Sequence, residues 1–127
     1  MAAKATPSTP ATRCDQGGKE IIVGVVPVQV GDLVKLHLFL CRAAFRVVIF
    51  VDGDRLVDQQ ANDELEFVVP SLTPGFHNLH WAYLPAGADW QTRSEVSVNG
   101  TVRFRQRKGS GSDLPVQQTF LTLQVLP

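Results

Sequence analysis

The sequence is short of almost everything that catalysis, membrane insertion or metal binding needs. No apolar run approaches the roughly 20 residues of a membrane-crossing helix. After Met1, residues 2–10 are Ala, Thr, Pro and Ser with one lysine and contain no hydrophobic core of a Sec-type signal peptide. That predicts a cytoplasmic protein by default, with a signal-independent export route left open. Twelve basic residues are balanced by twelve acidic ones, so no global charge draws the chain to nucleic acid or an anionic membrane. No segment keeps helical periodicity for three turns. There is no Gly-x-Ser-x-Gly, no phosphate loop and no cysteine–histidine pairing suited to nucleophilic attack. Gly109-Ser110-Gly111-Ser112 is linker-like and precedes no helix. The expectation is a non-catalytic protein without a cofactor.

There are two cysteines, Cys14 and Cys41. They could form one bridge, but Cys14 lies in a segment expected to be unfixed, which favours a buried thiol and a tail thiol. Residues 1–18 read as a disordered tail, small and Pro-containing, with Gly17-Gly18 as its last joint. Residues 19–127 are long enough for one domain with a core of its own.

What is present is alternation. Glu20 to Val26 is a β-branched run, and Pro27 marks an edge position or a break. In 33–40, Val34, Leu36, Leu38 and Leu40 share one face, with Lys35, His37 and Phe39 on the other. In 45–51, Phe45, Val47, Ile49 and Val51 point inward, leaving Arg46, Val48 and Phe50 outward. Asp52-Gly53-Asp54 is a hairpin signal, followed by a short edge strand at 55–59. Leu65, Phe67 and Val69 point inward from the next strand, with Glu64 and Glu66 outward. Pro74-Gly75 turns a sharp corner, after which His77, Leu79, Trp81 and Tyr83 share the face that belongs in a core. Residues 108–113 form a flexible connection, and Thr119, Leu121, Leu123 and Val125 complete a final strand. Eight or nine short strands imply a sandwich or barrel.

The hairpin at Asn99-Gly100 poses a register question. A two-residue turn pairs Val98 with Thr101 and Val96 with Arg103, placing valines on the arginine face. An odd loop with a glycine bulge aligns Val96 with Val102 or Phe104 and Glu95 with Arg103 or Arg105. The second register is expected. Asn99-Gly100-Thr101 also matches a glycosylation sequon, but turn chemistry explains the same dipeptide.

Leu72-Thr73-Pro74-Gly75-Phe76-His77-Asn78-Leu79 resembles the corner before the penultimate core strand of immunoglobulin-like and fibronectin type III-like sandwiches. The resemblance implies an all-β, two-sheet antiparallel sandwich of 7–9 strands over about residues 20–126, and carries no functional residue with it. Two departures accompany it. The core strand after the corner lacks the cysteine of the antibody intersheet bridge, and the 94–107 hairpin is extra to a seven-strand plan, as an insertion projecting before the last strand.

Metal readings fall on geometry. His77 and His80 are three apart on a strand and point to opposite faces, so His77 is expected to bond a loop carbonyl. Asp52, Asp54, Asp58 and Asp63 lack the spacing of a calcium loop. The remaining expectation is a binding surface. Phe39, Val48 and Phe50 make an outer apolar patch if their strands are neighbours, and Trp90, in a Gly/Ala loop, is either an anchor for a partner or a lid over the sandwich. Arg103, Arg105 and Arg107 form a basic strip that either resists edge aggregation or docks a polyanion. The partner is expected to be a protein or a second copy. A carbohydrate ligand stacking on Trp90 is the alternative, followed by a polyanion on the arginines.

Overall fold

The computed structural model describes residues 10–109 and 117–127. Its elements are α1 (Pro10–Asp15), β1 (Val25–Gln29), β2 (Val34–Cys41), β3 (Phe45–Val51), β4 (Asp54–Ala61), β5 (Glu64–Val68), β6 (Gly75–Pro85), β7 (Gln91–Val98), β8 (Thr101–Gly109) and β9 (Gln117–Leu126). The strands form an all-β two-sheet sandwich: a five-stranded sheet in the order β1-β9-β6-β3-β4 faces a four-stranded sheet in the order β5-β2-β7-β8. All pairings are antiparallel except β1 with β9. β1 is an edge strand, which is where Pro27, lacking an amide hydrogen, costs least.

The alternating pattern sets the core. Leu36, Leu38 and Leu40 from β2, Phe45, Val47 and Ile49 from β3, Leu79, Trp81 and Tyr83 from β6, and Leu121 and Leu123 from β9 are all essentially solvent-free. Phe104 meets Trp81 edge to face, centroids 5.7 Å apart, the arrangement aromatic quadrupoles favour. The Tyr83 hydroxyl is paired with Thr92 Oγ1 at 2.7 Å, and burial pushes its pKa up to about 12.

Asp52 and Gly53 both take positive φ, as do Asn99 and Gly100, so each hairpin closes with a two-residue turn of the kind that matches strand twist. In the second hairpin Val98 pairs with Thr101, and a bulge then leaves Arg103 unpaired, so that Val96 faces Phe104 and Glu95 faces Arg105. The odd loop is corrected, since the turn is the two-residue one; the expected partners of Val96 and Glu95 are met because the bulge lies inside the strand. This hairpin does not project. It supplies half of the four-stranded sheet. Its turn is tied to the Gly31-Asp32 turn: Asn99 Oδ1 accepts the Leu33 amide and its Nδ2 donates to Asp32, both at 2.9 Å. The sequon asparagine is thus a working turn residue.

The N-terminal segment departs most from expectation. The part of the expected tail at 1–9 lies outside the described residues. From Pro10 onward the chain is placed, and Cys14 is bonded to Cys41 with Cα atoms 6.4 Å apart. The pairing of a tail thiol with a separate buried thiol is corrected. A six-residue helix is too short to persist on its own propensity. The disulfide fixes it against β2 and β7, and Pro10 occupies the first helical position, where its missing amide hydrogen costs nothing.

Two candidate surfaces on opposite sides

Strands β2 and β3 lie in different sheets, so the expected patch of Phe39, Val48 and Phe50 divides. Phe39 faces out from the four-stranded sheet, and Val48 and Phe50 face out from the five-stranded one. The two surfaces differ in kind.

On the four-stranded side, the segment 10–22 lies over the sheet as a strap. Phe39 is half-buried, stacked on His37 with centroids 4.2 Å apart and covered by the Arg93 guanidinium, whose carbon is 3.8 Å from the ring centroid. Arg93 is itself buried, donates to Glu95 at 2.9 Å and is driven down in pKa chiefly by that burial. Arg105 donates from Nε to the same Glu95 oxygen at 2.7 Å and from Nη1 to the Lys19 carbonyl at 2.9 Å. Arg107 donates to the carbonyls of Cys14 at 3.0 Å and Gln16 at 2.5 Å, and its amide to Glu20 at 2.8 Å. Ile21 and Arg105 exchange two backbone hydrogen bonds along the outer edge of β8. Arg13 pairs with Asp63 and, at 3.0 Å, Glu64. The arginine strip thus divides as well. Arg105 and Arg107 hold the strap's carbonyls, while Arg103 stands exposed on the bulge.

Trp90 is 4% exposed. It meets Phe45 and Tyr83 edge to face at 6.2 and 6.1 Å and closes the end of the sandwich. Of the two readings of Trp90, the lid is correct and the exposed anchor is overturned: its loop position hid that it caps the ring cluster below it.

The five-stranded side is bare. Across three adjacent strands, Phe50, His80 and Phe120 stack, with centroids 4.9 and 3.9 Å apart and ring planes within 14° and 16°. Rings on neighbouring strands that stack face to face must stand upright on the sheet, so they form a ridge with its edges to solvent. Phe120 is 64% exposed and Phe76, two rows away, 70%. Beside the ridge, Val48 and Ala82 floor a groove of about 570 Å³, walled by Phe50 on one side and Leu84 and Arg46 on the other, with Arg55 at its end. Arg46 grips Asp58 with two hydrogen bonds of 2.9 Å, and Arg55 reaches the same carboxylate at 3.4 Å. Those bonds, led by the one between the side chains, hold Asp58 below the usual carboxylate range and raise Arg46.

Phe120, Phe76 and Leu84 were not singled out from the sequence and His80 was weighed only as a metal ligand, although alternation from Leu79 and Leu121 puts all four outward. No cluster of three or more histidine, cysteine, aspartate or glutamate side chains suited to a metal exists among the described residues, and no helix among them is long and apolar enough to cross a membrane. Comparison with known protein families, curated proteins and solved structures finds no match.

Proposed function

We propose that this chain is a non-catalytic protein-interaction module that docks a protein surface on the outer face of its five-stranded sheet. The observation that carries this reading is the Phe50–His80–Phe120 ridge with its adjoining groove. A monomer gains nothing by setting such rings in water, and contiguous exposed apolar surface of this kind marks contact sites. Aromatic residues and arginine, both at hand here, are the side chains that concentrate interface energy.

The alternatives draw less support. A sugar stacks on an open ring face, whereas Trp90 is in the core and the ridge rings turn their faces to one another. A polyanion needs free guanidinium groups, and Arg105 and Arg107 are engaged by the strap. The immunoglobulin-like reading of the sandwich draws on the Pro74-Gly75 corner, on β6 lying between β3 and β9, and on the first strand running parallel to the last. The Cys14–Cys41 disulfide favours an oxidising compartment over the cytoplasm.

The test is differential retention. Immobilised wild-type chain is compared with Phe50→Asp/Phe120→Asp and with Arg103→Glu in native lysate, after all three give matching circular dichroism. Binders retained by wild type and Arg103→Glu but lost from the ridge variant support the reading. Equal retention by all three overturns it.

A further inference from the structure

Resting on that docking face, we infer that its occupant is a second copy of this chain, packed sheet against sheet about a two-fold axis lying between ridge and groove. The face is laid out in four rows across the strands. The cross-strand partners define them: Leu84 and Arg46, then Gln118, Ala82, Val48 and Asp58, then Phe120, His80, Phe50 and Arg55, then Thr122, Asn78 and, in the adjoining turn, Asp52. The second row is the groove and the third is the ridge. They run side by side, about 6.7 Å apart, the spacing of alternate residues in a strand.

An isologous contact requires that whatever one copy presents, the other receives at the symmetry-related position. A two-fold axis in the plane of the interface, parallel to the ridge and midway between the second and third rows, exchanges those two rows and also the first with the fourth. Phe50 then lies over the partner's Val48 and His80 over the partner's Ala82, large over small, while Phe120 meets the partner's Gln118, which is bonded to its own His80 at 3.0 Å. The charges follow the same exchange. Arg55 faces the partner's Asp58. Along β3 the outward residues Val48 and Phe50 exchange places when the strand is reversed. Within each chain Arg55 already reaches Asp58 at 3.4 Å, so the contact across the axis joins two existing ion pairs.

Size and net charge agree with this occupant. Four strands, β9, β6, β3 and β4, at about 4.8 Å and four rows at about 6.7 Å make a face on the order of 500 Å² in projection. Two such faces bury on the order of 1,000 Å² in all, the size a specific interface needs. The chain has a formal net charge of zero, so two copies do not repel. The strands of the two faces would run antiparallel, within the roughly 30° tolerance of aligned sheet packing.

The experiment is light scattering of the purified full chain over a concentration series, with a cross-linking arm. The wild-type mass should rise from 13.9 kDa toward twice that value. Phe50→Asp and, separately, Ala82→Glu should raise the dissociation constant at least about tenfold, while Arg103→Glu on the opposite sheet leaves it unchanged. Facing sheets sit about 10 Å apart, so a short bismaleimide should join an equimolar mixture of Arg55→Cys and Asp58→Cys chains more readily than either alone. A wild-type chain that stays at monomer mass throughout, or a dimer indifferent to both face variants, overturns the inference. So does a dimer that the mixed cysteines fail to join preferentially. Should wild type remain monomeric while the ridge variant still loses lysate binders, the docking face stands and only its self-pairing falls.

Discussion

Arg93 and Phe39 stand face to face on the outside of the four-stranded sheet, guanidinium over ring at 3.8 Å, with the strap closed above them. A cation so placed, desolvated and paired to Glu95, stabilises through ring contact, charge and packing together. Arg93→Ala removes all three and leaves Glu95 with Arg105 alone. The expected loss is about 2–3 kcal/mol of unfolding free energy, read from urea transitions, with Arg93→Lys recovering only part of it.

Gly17 makes that arrangement possible. Its φ is +101°, and a β-carbon there would collide with the Arg93 Nη1 atom. The colliding atom is at the end of a side chain, but one that is buried and held by Glu95, so it cannot swing aside at low cost. Gly17→Ala should therefore destabilise by about 1–2 kcal/mol. Gly87→Ala, with open space around it, should change stability by no more than about 0.5 kcal/mol in the same assay.

The disulfide joins cysteines 27 positions apart in sequence, worth about 3–4 kcal/mol by loop-closure entropy. Where that stabilisation appears depends on what opens first. The strap is a thin layer and Cys14→Ser should release it before the sandwich unfolds. Hydrogen exchange of amides around Ile21 and Arg105 should then accelerate strongly, while those of Leu79 and Leu121 in the core change little. Equal acceleration in both sets would mean that strap and sandwich form one cooperative unit.

His77 gives a pH signature. Its Nδ1 is 2.6 Å from an Asp52 carboxylate oxygen and its Nε2 2.7 Å from the Thr73 carbonyl. Both partners are acceptors, so both bonds form only when the ring is an imidazolium. The Asp52 hydrogen bond, then that to Thr73, raises the His77 pKa. For Asp52, burial pushes the pKa upward, but the bonds from His77 and the Asn78 amide outweigh it and the net shift is downward. The histidine's contribution is complete below its unfolded pKa near 6.5 and lost as pH rises through the raised folded value. The aspartate's is complete above about 3.9 and lost as pH falls through its lowered value. Wild type should lose on the order of 1 kcal/mol between pH 6 and pH 9, and His77→Gln should show a flatter dependence across that interval in denaturant midpoints.

Trp90→Ala should cost about 3–5 kcal/mol, since it empties the space against Phe45 and Tyr83. A drop in melting temperature without any change in ridge-dependent binding would separate its structural role from the docking surface.

Much of the sandwich was legible because strand alternation is a local property. The inward faces of 34–40, 45–51 and 79–83 follow from a period of two and need no knowledge of neighbours. The His77-to-carbonyl bond was legible for the same reason. Which strands sit side by side is a long-range property, and that is where reading failed. Phe39 and Phe50 look alike in sequence, yet β2 and β3 belong to different sheets, so one ring is roofed by arginine and the other is open. The strap was illegible because its order comes from partners nearly a hundred residues downstream, with Arg107 binding Cys14 and Gln16. Its own composition reads as a tail. Phe120 was legible and passed over, and His80 was weighed only as a metal ligand: each is the outward residue of a strand whose inward face drew the attention.

The link between Cys14 and Cys41 also decides how the molecule would carry tension. A pull applied at residue 10 and residue 127 meets the covalent bridge first and enters the sheet at the end of β2, so β1 and the strap beyond Cys14 are shielded from stretching. The load then passes through the paired strands of both sheets, and the extension released on rupture is shorter by the bridged stretch of chain than in a Cys14→Ser variant.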